Sequence, residues 1–252
     1  MMNITPTVKQ LLIINVLFYI GSIIVGEPAY KMLSMYFYEN PDFHFWQIFT
    51  HMFMHAPLPN IMHIAFNMFA LYSFGSALEH YWGGKRFIFF YISCGLGAAL
   101  LHTLVNYYFF ESAINTLVAN GYSKLEILKT LSEGKFDTKW QQLLSPSSFD
   151  AFTGAYFGNV VGASGAIYGL LVAFAFMFPN AELALMFIPV PVKAKYFVPG
   201  LLLVDLYLGV SGGSIFGGSS GIAHFAHIGG AIVGFAMMWY WRNNKFNHKR
   251  WN

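Results

Sequence analysis

Of the 252 residues, 56% are hydrophobic and 19% aromatic, only 10% carry charge, and the mean hydropathy is +0.51. So little charge excludes a water-soluble domain with a charged shell, and no nucleic-acid partner is expected at a net charge of +3; the bilayer is the expected solvent. Cys94, the single cysteine, excludes an intramolecular disulfide and a cysteine-rich metal site.

In chain order, nearly uncharged stretches recur at about 10–26, 60–79, 87–110, 157–178, 196–210 and 222–241. Most are near the roughly 20 residues that a spanning helix needs, so the pattern predicts an all-α membrane protein of six transmembrane helices in a single domain, 1–252. The first stretch follows Lys9 without a small-residue cleavage site and is read as a retained helix. With the N-terminus in the cytoplasm, the inside segments hold Lys9, Lys85, Arg86, Lys193, Lys195, Arg242, Lys245, Lys249 and Arg250, which satisfies the positive-inside rule and puts both termini inside. The basic stretch 242–252 then reads as a cytoplasmic tail near anionic lipid.

Two outside segments stand out. The first loop, about 27–59, carries Phe43, Phe45, Trp46, Phe49, Met52, Phe53 and Met54, and is expected to dip into the membrane interface. The second, 111–156, reads as an extracytoplasmic insertion with balanced charges. It has a short amphipathic helix from Lys124 to Leu131, ended by Gly134, and a loop at Ser145-Pro146-Ser147-Ser148. The glycine-rich stretch from Ser211 to Gly221 is expected to serve as a lid.

The polar residues inside the spans carry the functional signal. At about 1.5 Å per residue, Ser164, His227, His63 and Asn67 all fall roughly 5–12 Å below the outer surface. Polar groups in lipid are costly unless they face partners or a wet cavity, so this common depth predicts one pocket open to the outside. His63 and Asn67 share a helix face at i, i+4, as do Ser164 and Tyr168. Small residues four apart, Gly158 with Gly162, Gly165 with Gly169, and Gly230 with Gly234, would let the serine and histidine helices approach closely. No carboxylate is expected at this depth, so a Ser-His dyad is the simplest catalytic reading. Asp205, placed near the middle of the fifth span, is expected to pair with a hydroxyl or water and not to be catalytic. His224 with His227, and His51 with His55, have spacings open to a metal, but neither pair has an adjacent helical glutamate; no metal or cofactor is expected, and His51, His55 and His224 read as structural.

These residues resemble the rhomboid family of intramembrane serine proteases. The resemblance covers Trp46 to about Gly234. Gly162-Ala163-Ser164-Gly165 is similar to the family's nucleophile motif, Ala226-His227-Ile228-Gly229-Gly230 with Gly234 to its general-base helix, and His63-Ile64-Ala65-Phe66-Asn67 to its oxyanion-supporting element. Phe49 to His55 resembles the end of the embedded first loop, and Gly75, Glu79 and Gly83 the inner end of the second helix. Gln47 follows Trp46 where the family often carries arginine. The resemblance implies a rhomboid-like bundle with a membrane-embedded first loop. It also implies Ser164 as nucleophile, His227 as base, and His63, Asn67, Gly162, Ala163 and Tyr168 as oxyanion or supporting residues. Separately, the Phe and Met stripes read as core or lipid-facing surface, with Phe66 expected to gate substrate entry. Expected partners are transmembrane protein substrates and the lipid bilayer. The compact six-helix form without a transit peptide favours a bacterial cytoplasmic membrane. The competing readings are a non-enzymatic binder of membrane clients and a small transporter using Asp205.

Overall fold

The first spanning helix begins where the sequence supplies both a starter and a counter-charge. In the computed structural model, which describes residues 3–185, 188–211 and 223–243, α1 (Pro6–Val25) has proline in its first turn, where a missing N–H costs nothing. Its free N–H groups are capped from elsewhere: Glu79 accepts from the backbone N–H of Thr7 (2.9 Å) and Val8 (2.8 Å) and from the Thr5 hydroxyl (2.5 Å). A carboxylate at the positive end of a helix is the way this chain keeps Glu79 buried.

The first loop is ordered by side-chain to backbone bonds. It holds α2 (Glu27–Leu33), the short strand β1 (Met35–Tyr36), α3 (Gln47–Thr50) and a 3-10 turn (His51–Phe53). Gln47 is fully buried and uses both ends of its amide: it donates to the carbonyls of Lys31 and Asp42 and accepts from the N–H groups of Tyr36 and His44. A neutral amide thus ties the loop together through four backbone groups and leaves no buried charge to compensate.

The second span is α4 (Ile61–Ala70), a π-turn (Leu71–Gly75) and α5 (Ser76–Trp82). The turn at Gly83, with φ +74°, leads into α6 (Gly84–Ala119). At 36 residues α6 is about 54 Å long against a hydrocarbon core of roughly 30 Å, so it stands well clear of the membrane. Its protruding end packs with α7 (Lys124–Ser132), α8 (Trp140–Leu143) and α9 (Pro146–Phe157) around Phe110, Leu117, Ile127, Trp140 and Phe152. Residues 111–156 therefore carry their own small core. The amphipathic helix expected from Lys124 is α7, opened by a Ser123–Glu126 capping box. The Ser145–Ser148 stretch is not a loop: Ser145 Oγ accepts from the Ser148 N–H and Pro146 starts α9. Turn-forming residues are also N-cap residues, and only the helical run after Ser145 distinguishes the cap from a turn.

Beyond α9 the chain is extended, and β2 (Asn159–Val160) pairs antiparallel with β1, Met35 opposite Val160. The fourth span, α10 (Ser164–Met177), starts at Ser164, so the expected span 157–178 is corrected at its outer end. Gly158 and Gly162 lie outside it, Gly162 at φ +128°, a value that a helix cannot contain. A hairpin, β3 (Glu182–Leu185) and β4 (Ile188–Lys193), leads to α11 (Ala194–Ser211), and α12 (Ala223–Asn243) completes the bundle. Among the described residues four helical runs, α1, α4 through α5, α6 and α11, are long and apolar enough to cross a membrane, and α10 is a shorter apolar helix. Among the described residues, the long-range β1–β2 pair and the β3–β4 hairpin are the departures from an all-α chain. The loop expected to act as a lid and most of the basic tail lie outside the described residues.

At the centre of the bundle α6, α10 and α12 touch backbone to backbone. A Cβ on Gly230 would run into the Gly165 carbonyl, one on Gly234 into the Gly169 backbone, and one on Gly229 into Gly97 of α6. Without a hydrophobic force between helices in lipid, this close contact is what holds them.

Candidate active site

Four pieces of backbone bring the site together. Gly162 donates its N–H to the His51 carbonyl (2.9 Å), which hangs the chain before α10 on the first loop. Its positive φ then turns the chain so that Ser164 becomes the first residue of α10. The first N–H groups of a helix have no partner within it and carry the positive end of its dipole. At 14 residues α10 spans about 21 Å, short of the roughly 30 Å core, so it need not reach both faces of a membrane. Ser164 thus stands at the first residue of a short helix, not one to two turns inside a longer one.

His227 on α12 places Nε2 3.0 Å from Ser164 Oγ. Its Nδ1 lies 3.1 Å from Asp205 Oδ1 on α11. A carboxylate oxygen only accepts, so Nδ1 carries the proton and Nε2 presents its lone pair to the serine hydroxyl. Tyr168, one turn beyond Ser164, stacks on the His227 ring with centroids 4.2 Å apart and planes within 7°.

The expectation for Asp205 is corrected by this geometry. It is buried, it bonds His227, and the same Oδ1 accepts from His224 Nδ1 at 2.5 Å. Asp205 lies six residues before Ser211 at the outer end of α11, and His227 four after Ala223 at the start of α12, roughly 9 and 6 Å in. The middle of a short span is close to both ends, and counting from the outer end would have found the carboxylate. It also changes the reading of His224, which shares the Asp205 oxygen.

Across the pocket, His63 Nδ1 accepts the Ala56 N–H at 3.0 Å, which leaves a neutral ring with its proton on Nε2. A Cβ at Gly162 would lie 3.1 Å from that Nε2 and 3.5 Å from Ser164 Oγ. The missing side chain thus leaves a space bordered by a hydroxyl and an N–H donor. Asn67 donates to the His63 carbonyl at 2.7 Å, has a second amide hydrogen left, and buries Oδ1 without a partner among the described residues. Ala163 is fully buried against the bundle core, and Phe66 is half-buried on α4 next to Asn67.

His51 and His55 are buried in the first loop, and loss of hydration pushes each imidazole down to about 4. His51 Nδ1 lies 2.8 Å from the Gln47 carbonyl, so it is a neutral donor, and the pair does not converge on Ser164. Among the described residues, Asp205, His224 and His227 form a cluster whose ligand atoms lie within 4.8 Å of one another.

Comparison with known proteins agrees with the fold and the order of these elements. A family model described as Rhomboid domain matches residues 42–125 and 137–244; the unmatched 126–136 falls in α7 and the turn after it. The chain is 26% identical over 178 residues to rhomboid protein 1, mitochondrial, of Saccharomyces cerevisiae, covering 71% of this chain and 37% of that one. It is 30% identical over 163 residues to the presenilin-associated rhomboid-like protein, mitochondrial, of Rattus norvegicus, and 28% identical over 162 residues to that of Homo sapiens. Each of these two covers 61% of this chain and 41% of the relative. The chain thus matches about two fifths of the length of these relatives. With the family model spanning most of its residues, this multi-pass membrane protein belongs to the rhomboid family.

Proposed function

We propose that the protein is an intramembrane serine endopeptidase that cleaves transmembrane segments of other membrane proteins. The observation that carries this is the 3.0 Å approach of His227 Nε2 to Ser164 Oγ with the lone pair of that nitrogen facing the hydroxyl. Ser164 Oγ attacks the peptide carbonyl as its proton passes to His227 Nε2; the imidazolium then returns the proton to the leaving amine. Water repeats the cycle on the acyl-enzyme. The oxyanion takes donors from the Ser164 N–H at the head of α10 and from His63 Nε2, with Asn67 beside them and Gly162 and Ala163 shaping the space. Asp205 is a positioning residue: it holds the His227 tautomer and faces the charge that forms there. Tyr168 keeps the ring in plane, and Phe66 gates the route from lipid.

Substrates are segments whose helix is weak near the outer surface, since a backbone bonded within a helix cannot enter the pocket. The chain is one domain with its 111–156 unit outside and both ends in the cytoplasm, an orientation supported by Lys85, Arg86, Lys193 and Lys195 on the other side. We place it in a bacterial cytoplasmic membrane on its compact six-span form; the named relatives are mitochondrial, and fractionation of the native source decides between the two.

The test is cleavage of a single-span reporter by purified protein in liposomes, with cleavage sites mapped by mass spectrometry. Ser164→Ala and His227→Ala are each expected to abolish cleavage while the variants fold, and a fluorophosphonate is expected to label Ser164. Cleavage surviving either change overturns the proposal. A folded wild-type chain that binds the reporter, neither cuts it nor takes the label, would be a client binder instead.

A further inference from the structure

We propose that Asp205, His224 and His227 form a binding site for a divalent cation of the zinc class, and that filling it switches the base off. Their ligand atoms converge on one point. His224 Nδ1 and His227 Nδ1 approach the same Asp205 Oδ1, at 2.5 and 3.1 Å, from two successive turns of α12. Two imidazole nitrogens and a carboxylate are a common ligand set for zinc, which bonds nitrogen and oxygen at about 2.0–2.2 Å and keeps a fourth position for water. Ligands around such an ion stand roughly 3.3 Å apart. All three ligand atoms already lie within 4.8 Å of one another, so only small side-chain shifts are needed to admit the ion.

A second observation points the same way. Asp205 is buried and its Oδ2 makes no close hydrogen bond among the described residues; the nearest donor to the carboxylate besides the two histidines is the Tyr168 hydroxyl. A buried carboxylate oxygen left without a close donor is costly, and a cation at this spot would relieve it. The site is not sealed: the His224 and His227 side chains keep 14% and 23% of their exposure.

The effect on the base comes from the proton count of the ring. Without metal, His227 carries its proton on Nδ1 and offers the Nε2 lone pair to Ser164. A metal on Nδ1 takes the lone pair of that nitrogen, so the neutral ring must carry its proton on Nε2. The number of protons on the ring is unchanged; the proton has moved from Nδ1 to Nε2. Nε2 then donates toward Ser164 Oγ and cannot accept its proton. The metal also consumes the Asp205 oxygen that held the working tautomer. The site is thus inhibitory, and its ligand is the free metal ion, competing with the active arrangement and not with substrate. The inhibitory half rests on the protease reading of Ser164 and His227; the binding half does not.

The experiment uses the full chain in detergent and in liposomes, with zinc for affinity and cobalt for spectroscopy. Titration calorimetry is expected to find one zinc per chain in the wild type and in Ser164→Ala. Cobalt is expected to give the visible absorption of a four-coordinate nitrogen and oxygen site. His224→Gln is expected to lose the zinc site and the cobalt bands while its thermal unfolding stays cooperative. Asp205→Asn serves as a second variant with the same expected loss. In liposomes, zinc at concentrations that fill the site is expected to slow reporter cleavage at least about tenfold, reversibly with a chelator, and His224→Gln to cleave without zinc sensitivity. Equal zinc binding in wild type and in both variants overturns the site. Zinc bound through these residues with cleavage unchanged overturns the switch. Zinc bound by the wild type and not by His224→Gln, with no cleavage and no Ser164 labelling under any condition, confirms the site and refutes the protease reading.

Discussion

The helices that meet at Ser164 are held in two different ways. α10 and α12 press their backbones together through Gly165, Gly169, Gly230 and Gly234, with α6 closing the third side through Gly97 and Ala98. α11 instead turns Leu203, Leu206, Tyr207 and Val210 outward and buries little besides Ala194, Val198, Asp205 and Gly209. The nucleophile and its base are thus set by contacts that a single methyl group would break, while the carboxylate behind the base rides on a helix held mainly at one face. Distance between Ser164 and His227 is a matter of packing; the tautomer of His227 is a matter of where α11 stands.

Changes on the glycine side should be the most damaging. Gly230→Val puts a branched side chain against the Gly165 carbonyl, and because the obstacle is backbone it cannot step aside. Overpacking of this kind costs about 1–3 kcal/mol or more. The expected result is loss of cleavage together with a lowered unfolding temperature in detergent. Native-like stability with full activity would mean that the helices are not in contact there.

Removing a donor should be felt mainly in rate, with a smaller loss of stability because His63 also accepts the Ala56 N–H. His63→Ala is expected to reduce kcat by about 10²–10³ with folding intact, measured on the reporter in liposomes. On the α11 side, Asp205→Asn should leave Ser164 next to His227 but release the tautomer. A fall in kcat of about 10- to 100-fold, with KM unchanged and an altered pH-rate profile, is the expected outcome. A purely structural aspartate would move the unfolding temperature and not the pH profile. Leu203→Ala, on the outward face of α11, should change both stability and rate within error.

The first loop offers a pH test of a different kind. His51 and His55 have an ordinary value of 6.5 when the chain is unfolded and about 4 when it is folded. The unfolded chain therefore binds more protons below pH 6.5, so stability is full above that pH and is lost as pH falls from 6.5 through 4. Thermal unfolding in detergent across this range should show a progressive loss, smaller in His51→Gln, whose amide can still donate to the Gln47 carbonyl.

Much of the molecule was legible before the fold. Six apolar stretches announced six helices because a chain in lipid must satisfy its own backbone, and a polar residue within such a stretch calls for a partner or a wet cavity. Ser164, His227, His63 and Asn67 stood out on that ground, as did the glycines that pair α10 with α12. The start of α10 was not legible, since Gly158 to Ala163 carries no charge and runs into the helix, and it is the pairing of β2 with β1 and the positive φ at Gly162 that set it apart. The insertion was legible as charge, but not as a folded unit around Trp140 and Phe152, because its core residues are spread over four helices.

The amino-acid sequence by itself determined the solvent, the spans, and which side chains would share a depth, since each of these depends on hydropathy and rise along one helix. Tertiary structure alone decided that Asp205 stands behind His227, that His224 shares its oxygen, and that Gln47 ties the first loop together through four backbone groups. Depth is a property of one helix, but azimuth and neighbour are properties of two, and no periodicity within α11 states which face of it meets α12.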